Sequence, residues 1–258
     1  MIKKEISTNL YQYSFSKNGG FEYNIIACIH NQKALLIDTG YTEHAEAVKK
    51  DLQSMSVDVD VIIWSHCHED HIVGTALFPE AKIYAGKFYE QNYKMNLTEH
   101  PQLEQCVPQH IFDHIDHVNE SFSFGPFDIR SHHTPGHSVC SNTTVITTSD
   151  NKKIMHVADL IIFSEDKRAA IPYVLTASEH IDSLNRLLEI DADIMVMGHG
   201  DPIKGKTDIQ NAVDNRLYYL QKLLDSKGTL PLAECLKGDI DSYSYHNFHD
   251  SNVATLKK

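Results

Sequence analysis

The sequence predicts a mixed α/β protein, and three observations support that prediction. Short apolar runs bounded by turn residues, which are typical of strands, recur along the chain. Longer stretches carry apolar residues at helical spacing, and the first of these lies between two strand-like runs. A chain of 258 residues with 41% hydrophobic composition can bury a sizeable core. One layered domain over residues 1–258 is therefore the simplest organisation.

The N-terminal part of the chain is predicted to form a sheet. The runs LYQYSF, NIIACI and ALLIDTG are apolar or alternating, and turn residues separate them. The stretch TEHAEAVKKDLQSM then places Ala45, Val48 and Leu52 at helical spacing, with Thr42 as the expected N-cap. The apolar run VDVIIW follows, so a strand–helix–strand unit ends at Trp64.

The remainder of the chain continues the mixed pattern. Further strands are predicted in AKIYAG, SFSFGPFDIRSHHT, NTTVITT, KIMHVADLII and ADIMVMGHG. The stretch SEHIDSLNRLLEI, beginning at Ser178, predicts an amphipathic helix, and a helical C-terminal region begins at about residue 208. Residues 87–118 are polar and rich in histidine, without a clear strand pattern. Because long connections in compact domains are often functional, we expect a lid or a side wall there.

Composition limits the partners and the compartment. The net charge of −12, from 35 acids against 23 bases, repels polyanions and disfavours nucleic acid. The N-terminus lacks an apolar signal region and the chain has no run of 18 apolar residues, so we expect a soluble, unexported protein without a membrane partner. Its 5 cysteines are scattered without a CxxC pair, which favours reduced thiols and a cytoplasmic location.

Side chains suited to metal binding follow several predicted strands, at the point where each strand gives way to a loop. The stretch SHCHEDHIVG, directly after Trp64, holds 3 histidines and 2 acids within 6 positions. Other such residues are Asp38 in LLIDTG, His137 in TPGHS, Asp159 in VADLI and His199 in MGHG. In packed sheets these strand ends can converge at one edge. Imidazole and carboxylate groups suit zinc, and also iron or manganese.

The motif HxHxDH, followed in order by TPGH, AD and GHG, resembles the metallo-β-lactamase superfamily of metal-dependent hydrolases. The resemblance extends from about Ile25 to Ile203 and implies a four-layer αβ/βα sandwich that holds two divalent metal ions. Zinc is the expected metal. The implied ligands form two sets joined by one bridging carboxylate: His66, His68 and His137 for the first metal, Asp70, His71 and His199 for the second, and Asp159 for both. Asp38 matches an acidic motif whose residue supports the site without binding metal.

The resemblance also implies the chemistry. Two neighbouring cations lower the pKa of a bridging water and polarise a substrate carbonyl, which predicts a hydrolase that uses a metal-bridging hydroxide. Asp70 is the expected catalytic residue, since its carboxylate could orient the hydroxide or receive its proton. Relatives that act on β-lactams generally lack the bridging aspartate, whereas thioesterases similar to glyoxalase II and lactonases retain the full ligand set. The expected substrate is therefore a small or medium thioester or lactone.

Two other functions are compatible with the same sequence. The alternatives are a phosphodiesterase of the same fold and a metal-binding regulatory protein with little turnover.

Several residues near the motifs are expected to lie outside the metal site. Tyr173 could either assist a carbonyl oxygen of the substrate or simply pack. We expect Cys67 to be a packing residue, Glu69 to be exposed, and five further histidines to lie in solvent or behind the ligands: His110, His114, His117, His132 and His133.

Overall fold

The first of two large sheets in the fold follows the chain order. A computed structural model describes residues 1–16, 20–107, 109–117 and 121–256. This sheet has 7 strands, adjacent in the order of the sequence: β1 (Ile2–Ser7), β2 (Leu10–Ser16), β3 (Glu22–His30), β4 (Lys33–Ile37), β5 (Asp58–Trp64), β6 (Lys82–Ala85) and β7 (Ile115–His117). Strands β1 to β4 are antiparallel, whereas β4 to β7 run parallel.

A second large sheet has 6 strands, and a small sheet has 2. The strands of the second sheet and of the small sheet are β8 (Phe122–Phe124), β9 (Phe127–His133), β10 (Asn142–Thr147), β11 (Lys153–His156), β12 (Ala169–Ala170), β13 (Ile194–Val196), β14 (Ile203–Lys204) and β15 (Tyr243–Ser244). The order across the second sheet is β14-β13-β11-β10-β9-β8, and only β11 and β13 among its neighbours run parallel. Strands β12 and β15 form the small sheet.

The helices of the described residues lie in two groups, one before β8 and one after β11. The α-helices are α1 (Thr42–Ser54), α2 (Glu69–Ile72), α3 (Tyr89–Glu99), α4 (Leu103–Cys106), α5 (Ala177–Glu189), α6 (Lys206–Asp225), α7 (Leu232–Cys235) and α8 (Phe248–Thr255). Short 3₁₀ helices cover Val73–Leu77, Gln109–His114 and Ile240–Ser242. No helix in the described ranges is both long and apolar enough to cross a bilayer. The cytoplasmic location stays a prediction.

Strand β5 is buried on both faces, which places its sheet in the interior of the fold. Its side chains alternate, so Val61 and Ile63 pack between the two large sheets, while Ile62 and Trp64 face the helices on the other side. Both faces are buried, which explains the continuous apolar run. Burying a side chain of this size contributes about 1.5–3 kcal/mol to stability.

Three apolar clusters define four layers. One cluster lies between the sheets, a second joins the first sheet to α1 and α3, and a third joins the second sheet to α5 and α6. In the third cluster, Met155 and Met195 of the sheet pack with Leu184 of α5 and Leu220 of α6. The layers are therefore helix, sheet, sheet and helix, and the predicted αβ/βα sandwich is confirmed.

The segment 87–118 differs from its prediction in one respect. It contains α3, α4 and a short edge strand, β7, in which Ile115 pairs with Ile83 of β6. No strand was predicted there, because β7 has only 3 residues, all at least partly exposed, so no apolar run marks it in the sequence. Residues 108 and 118 of this segment lie outside the described residues. The helical C-terminal region begins with α6 at Lys206, close to the expected position.

Candidate metal centre

The structure brings all the predicted ligands together at the carboxyl ends of the strands. Strand β4 is followed by Asp38, and β5 is followed by the segment 65–71. Strand β9 leads into the loop with His137, β11 precedes Asp159, and β13 precedes His199. Since β4 with β5 and β11 with β13 are parallel pairs, both sheets deliver these side chains to the same edge.

Three imidazoles form the first group of potential ligands. The Nε2 atom of His66 lies 2.9 Å from Nδ1 of His68, and Nε2 of His137 lies 3.0 Å from the same Nδ1 atom. These nitrogen atoms all lie within 4.8 Å of one another, so one cation could contact all of them.

Asp70, His71 and His199 form the second group, and Asp159 lies between the two groups. The Oδ2 atom of Asp70 is 3.3 Å from Nε2 of His199 and 3.6 Å from Nε2 of His71. The Oδ2 atom of Asp159 is 3.1 Å from Nε2 of His199, 3.6 Å from that of His71 and 3.7 Å from that of His137. A carboxylate in this position faces both groups.

Hydrogen bonds on the outer side of the imidazoles fix their orientation. Nδ1–H of His137 donates to the carbonyl of Tyr173, and Nδ1–H of His199 donates to the carbonyl of Glu22, both at 2.9 Å. Nδ1–H of His71 donates to Oδ2 of Asp38 at 2.7 Å. Each ring is thereby held with its Nε2 atom facing the cluster, which is the arrangement that metal-binding histidines use.

Asp38 is fully buried and contacts both groups of ligands, one directly and one through Ser65. Its carboxylate accepts from the backbone N–H of Ser65 at 2.7 Å and from the Ser65 hydroxyl at 2.6 Å. The Ser65 Oγ atom in turn lies 3.1 Å from Nδ1 of His66. Asp38 therefore lies behind the cluster, as its motif implied.

The electrostatic environment divides the histidines into two classes. Burial lowers the pKa of His66, His68 and His137, in the case of His68 to about 3. Burial also opposes the charge of His71 and His199, but the neighbouring carboxylates outweigh it and raise both pKa values, that of His199 to about 10. The first class is neutral with lone pairs available, and the second holds protons that a cation would replace.

Two polar atoms of the cluster support its fit to metal ions. The Nε2 atom of His71 and the Oδ1 atom of Asp159 are buried without a hydrogen-bond partner. Unpaired buried groups cost about 1–3 kcal/mol each unless a ligand satisfies them. The backbone at Gly198 approaches them so closely that a Cβ atom there would lie 2.3 Å from Asp159 Oδ1 and 2.6 Å from His71 Cε1. The donor set is all nitrogen and oxygen, which suits zinc, iron or manganese.

A cavity of about 420 Å³ opens above the cluster. Five aromatic side chains line it, and α3 supplies one side wall. The aromatic residues are Phe21, Tyr23, Tyr41, Tyr173 and Phe248, and those of α3 are Asn92, Met95, Asn96 and Glu99. No lysine or arginine occurs among the described residues of this lining. Apart from Tyr173, the aromatic residues were not predicted, because they come from separate elements and carry no motif, whereas α3 lies in the segment 87–118, where we expected a lid or a side wall.

One expectation about the neighbouring residues is wrong. Glu69 is half-buried, because its carboxylate accepts from the hydroxyl of Tyr41 at 3.2 Å and from the side-chain amide of Gln102 at 3.1 Å. It lines the cavity, so it does not point into bulk solvent. Cys67 packs in the core as expected, and burial raises the pKa of its thiol.

The other histidines do not join the cluster where their side chains are described. His110 and His117 are exposed, His132 and His133 are half-buried, and His133 is bonded to the carbonyl of Val139 at 2.9 Å. The side chain of His114 lies outside the described residues.

Comparisons with known proteins agree with this fold and site. The sequence model of the family described as the metallo-beta-lactamase superfamily matches residues 19–199. A beta-lactamase-like protein 2 homolog of Drosophila melanogaster is 27% identical over 181 residues, which is 67% of this chain and 56% of that protein. The chain thus spans little more than half the length of this relative.

Solved structures share the fold at low sequence identity. The FEZ-1 metallo-beta-lactamase from Legionella gormanii has a TM-score of 0.65 at 15% identity, covering 86% of this chain and 95% of its own. The sec-alkyl sulfatase PisA1 has a TM-score of 0.71 at 16% identity, covering 98% of this chain and 49% of its own. Because the family match covers well over half of the sequence and the fold agrees with it, the chain belongs to the metallo-β-lactamase superfamily.

Proposed function

We propose that this protein is a dinuclear metal-dependent hydrolase that cleaves a small or medium carboxylic thioester or lactone. The observation that carries the proposal is the position of Asp159 between two groups of nitrogen and oxygen ligands. His66, His68 and His137 would hold one ion, Asp70, His71 and His199 would hold the other, and Asp159 would contact both. When bound, such a pair of ions supplies a water activated at neutral pH and a Lewis acid for the carbonyl.

The size of the ligand set argues for two ions. A tetrahedral zinc ion uses four ligands, and a catalytic zinc ion keeps one of these positions for water or substrate. The residues of the three ligand groups are seven in total and exceed what one such ion could use. Zinc is the proposed metal, with iron or manganese as alternatives that the same donors accept.

Asp70 is the proposed catalytic residue because it is the most accessible carboxylate of the centre. Its side chain is 19% exposed, compared with 7% for Asp159 and 0% for Asp38. It also lines the cavity, so its carboxylate can reach a water molecule next to a bound substrate. There it would orient that water and receive its proton during attack on the carbonyl.

The lining of the cavity supports an uncharged substrate. Eight aromatic or aliphatic side chains line the cavity, and the acidic ones outside the cluster are Glu69 and Glu99. A phosphodiester or a polyanionic carrier would meet these carboxylates without a lysine or arginine among the described lining residues. A neutral acyl group would instead bury its apolar surface against the aromatic rings.

Tyr173 contacts the site through both its backbone and its side chain. Its carbonyl orients His137, and its ring lines the cavity. Burial, together with Glu99, raises the pKa of the phenol, so the hydroxyl keeps its proton at neutral pH. We propose that this hydroxyl donates a hydrogen bond to the substrate carbonyl as negative charge develops on it.

A substrate panel tests the reaction class. Acyl thioesters, lactones, a β-lactam and a phosphodiester would be assayed with zinc, manganese and iron separately, and the Asp159→Ala variant would control for contaminating esterases. We expect the highest kcat/KM for a thioester or lactone. A tenfold lead of the phosphodiester, equal to about 1.4 kcal/mol of transition-state preference, would contradict the ester class. No turnover of any compound by the metal-loaded protein would favour a regulatory role.

A further inference from the structure

Arg216 of α6 is a buried cation without an acidic partner. Its residue is only 4% exposed, although a guanidinium remains charged at neutral pH. None of the ion pairs of the described residues includes it, and the groups that favour its charge are the phenols of Tyr219 and Tyr243. Burial lowers the pKa of Arg216 to about 10. Buried charges are normally paired, so this one is an exception that needs a physical explanation.

The contacts that Arg216 makes within the protein leave part of the guanidinium unsatisfied. Its Nη2 atom donates to the carbonyl of Ala170, and its Cζ atom lies 5.9 Å from the ring centroid of Tyr219. Its Nε atom is buried without a hydrogen-bond partner. A neutral carbonyl and an aromatic ring stabilise a cation far less than a carboxylate does. The side chain therefore has a charge and a donor that no group of the described residues satisfies.

Arg216 lines a cavity of about 530 Å³ that lies between α6 and the loop that follows Asp159. Ile161, Phe163 and Ala212 give it apolar walls, while Lys204 and Asn211 are exposed polar groups at its edge. One acid, Asp208, is also at the edge, but it lies eight residues before Arg216, about 12 Å along the helix.

We infer that this cavity, which we call the Arg216 cavity, binds a small organic anion consisting of a carboxylate on an apolar body. The carboxylate would accept hydrogen bonds from the guanidinium, since arginine presents its donors in a fork that matches carboxylate geometry. The apolar body would contact Ile161 and Phe163. A single buried positive charge among apolar walls favours such a monoanion over inorganic phosphate, which carries more charge and has no apolar part.

This cavity is distinct from the proposed substrate cavity, and the inference does not depend on the proposed hydrolase activity. The two share Ile162 as a common wall, and Phe163 N–H donates to the carbonyl of His199 at 3.1 Å. The anion would therefore bind behind the loop that carries Asp159, and the metal centre would lie on the opposite side of that loop.

Binding of defined probes to the full chain tests the inference. Butyrate, benzoate, inorganic phosphate and the neutral butyramide would be titrated at constant ionic strength, by calorimetry and by thermal unfolding. We expect saturable binding of the two carboxylates at one site in wild type, with a rise in Tm, weaker binding of phosphate and none of butyramide. Failure of all the anions to bind wild type, or equal binding of butyramide, would overturn the inference.

Three variants locate that binding. Arg216→Met removes the cation, and Ala212→Phe fills the cavity but retains the Arg216 cation. Arg186→Met is the control, because Arg186 is an exposed helical arginine that does not line the cavity. We expect carboxylate binding to weaken at least tenfold, about 1.4 kcal/mol, in the first two variants and to be unchanged in the third. If Arg216→Met does not fold, carboxylate binding to Ala212→Phe tests whether the anion occupies this cavity. Carboxylate binding that survives in Ala212→Phe would place the anion elsewhere, for example at the metal centre, and would overturn the assignment.

Discussion

Asp38 shows how a residue outside the ligand set can control it. Its carboxylate holds His71 directly and His66 through Ser65, so one candidate ligand of each metal depends on it. We expect Asp38→Asn to lower metal affinity by about 10–100-fold, the usual effect of removing such a partner. Titration against a chromogenic chelator would measure this loss. Asp60→Asn, which changes an exposed carboxylate paired with Lys33, is the matched control and should bind metal as wild type does.

Unchanged metal affinity in Asp38→Asn, with the same fold by circular dichroism, would show that the imidazoles do not need this carboxylate. The account of how the rings are oriented would then be wrong, although the ligand set itself could stand.

Asp70 is the residue at which binding and catalysis can be separated. Substitution by Asn keeps the shape of the side chain but removes its negative charge and most of its basicity. We expect kcat to fall by about 10²–10⁴-fold with a much smaller change in KM, as removal of a general base does. Metal content would be measured on the same sample, so that a loss of metal is not mistaken for a loss of basicity. Turnover equal to wild type would exclude Asp70 from the mechanism.

At the scale of elements, the TPGH loop depends on its contact with the start of α5. The carbonyl of Gly136 accepts from the N–H groups of Leu175 and Thr176 at 2.8 and 3.0 Å. The φ of Gly136 is +130°, and a Cβ atom at this residue would lie 2.3 Å from the Cα atom of His180. Glycine is therefore required by both the backbone conformation and the close approach, and the next residue is the proposed ligand His137.

We expect Gly136→Ala to destabilise the fold and to weaken metal binding. Gly205→Ala is the matched control, since Gly205 also has a positive φ, +92°, but its Cβ would meet nothing within 4 Å. The control should lose about 1–2 kcal/mol of unfolding free energy from backbone strain alone, whereas the clash should take Gly136→Ala beyond about 3 kcal/mol. Urea unfolding measures both. Equal losses in the two variants would mean that the contact with α5 gives way at no cost.

The elements that the sequence could predict are those with a local signal. Strand β5 reads as an apolar run because both its faces are buried, and α1 has its apolar residues on one face. Strand β7 has no such signal, because its place depends on pairing with β6, which is distant in the chain. The same reason hides the aromatic lining and the buried Arg216. The candidate ligand residues were predictable because they lie in short motifs after strands, and the order of those motifs resembles a known family.

At the scale of the whole molecule, the two sheets concentrate negative charge at one buried edge. Asp38, Asp70 and Asp159 lie together in a chain whose net charge is already −12. Buried carboxylates are costly unless cations neutralise them. Without metal, protonated His71 and His199 serve that purpose, since both have raised pKa values. Two divalent ions would replace those protons, which connects the fold to the proposed metal content.

The metal content of the protein tests the central claim most directly. Wild type and Asp159→Ala would be purified without chelator and analysed for metals by mass spectrometry, with Asp60→Asn as the control. The account predicts about two ions per chain in wild type and in the control, because the donors exceed the needs of one zinc ion. It predicts a clear loss of metal in Asp159→Ala, since that carboxylate contacts both groups. One firmly bound ion in a fully active wild-type protein would contradict the dinuclear centre.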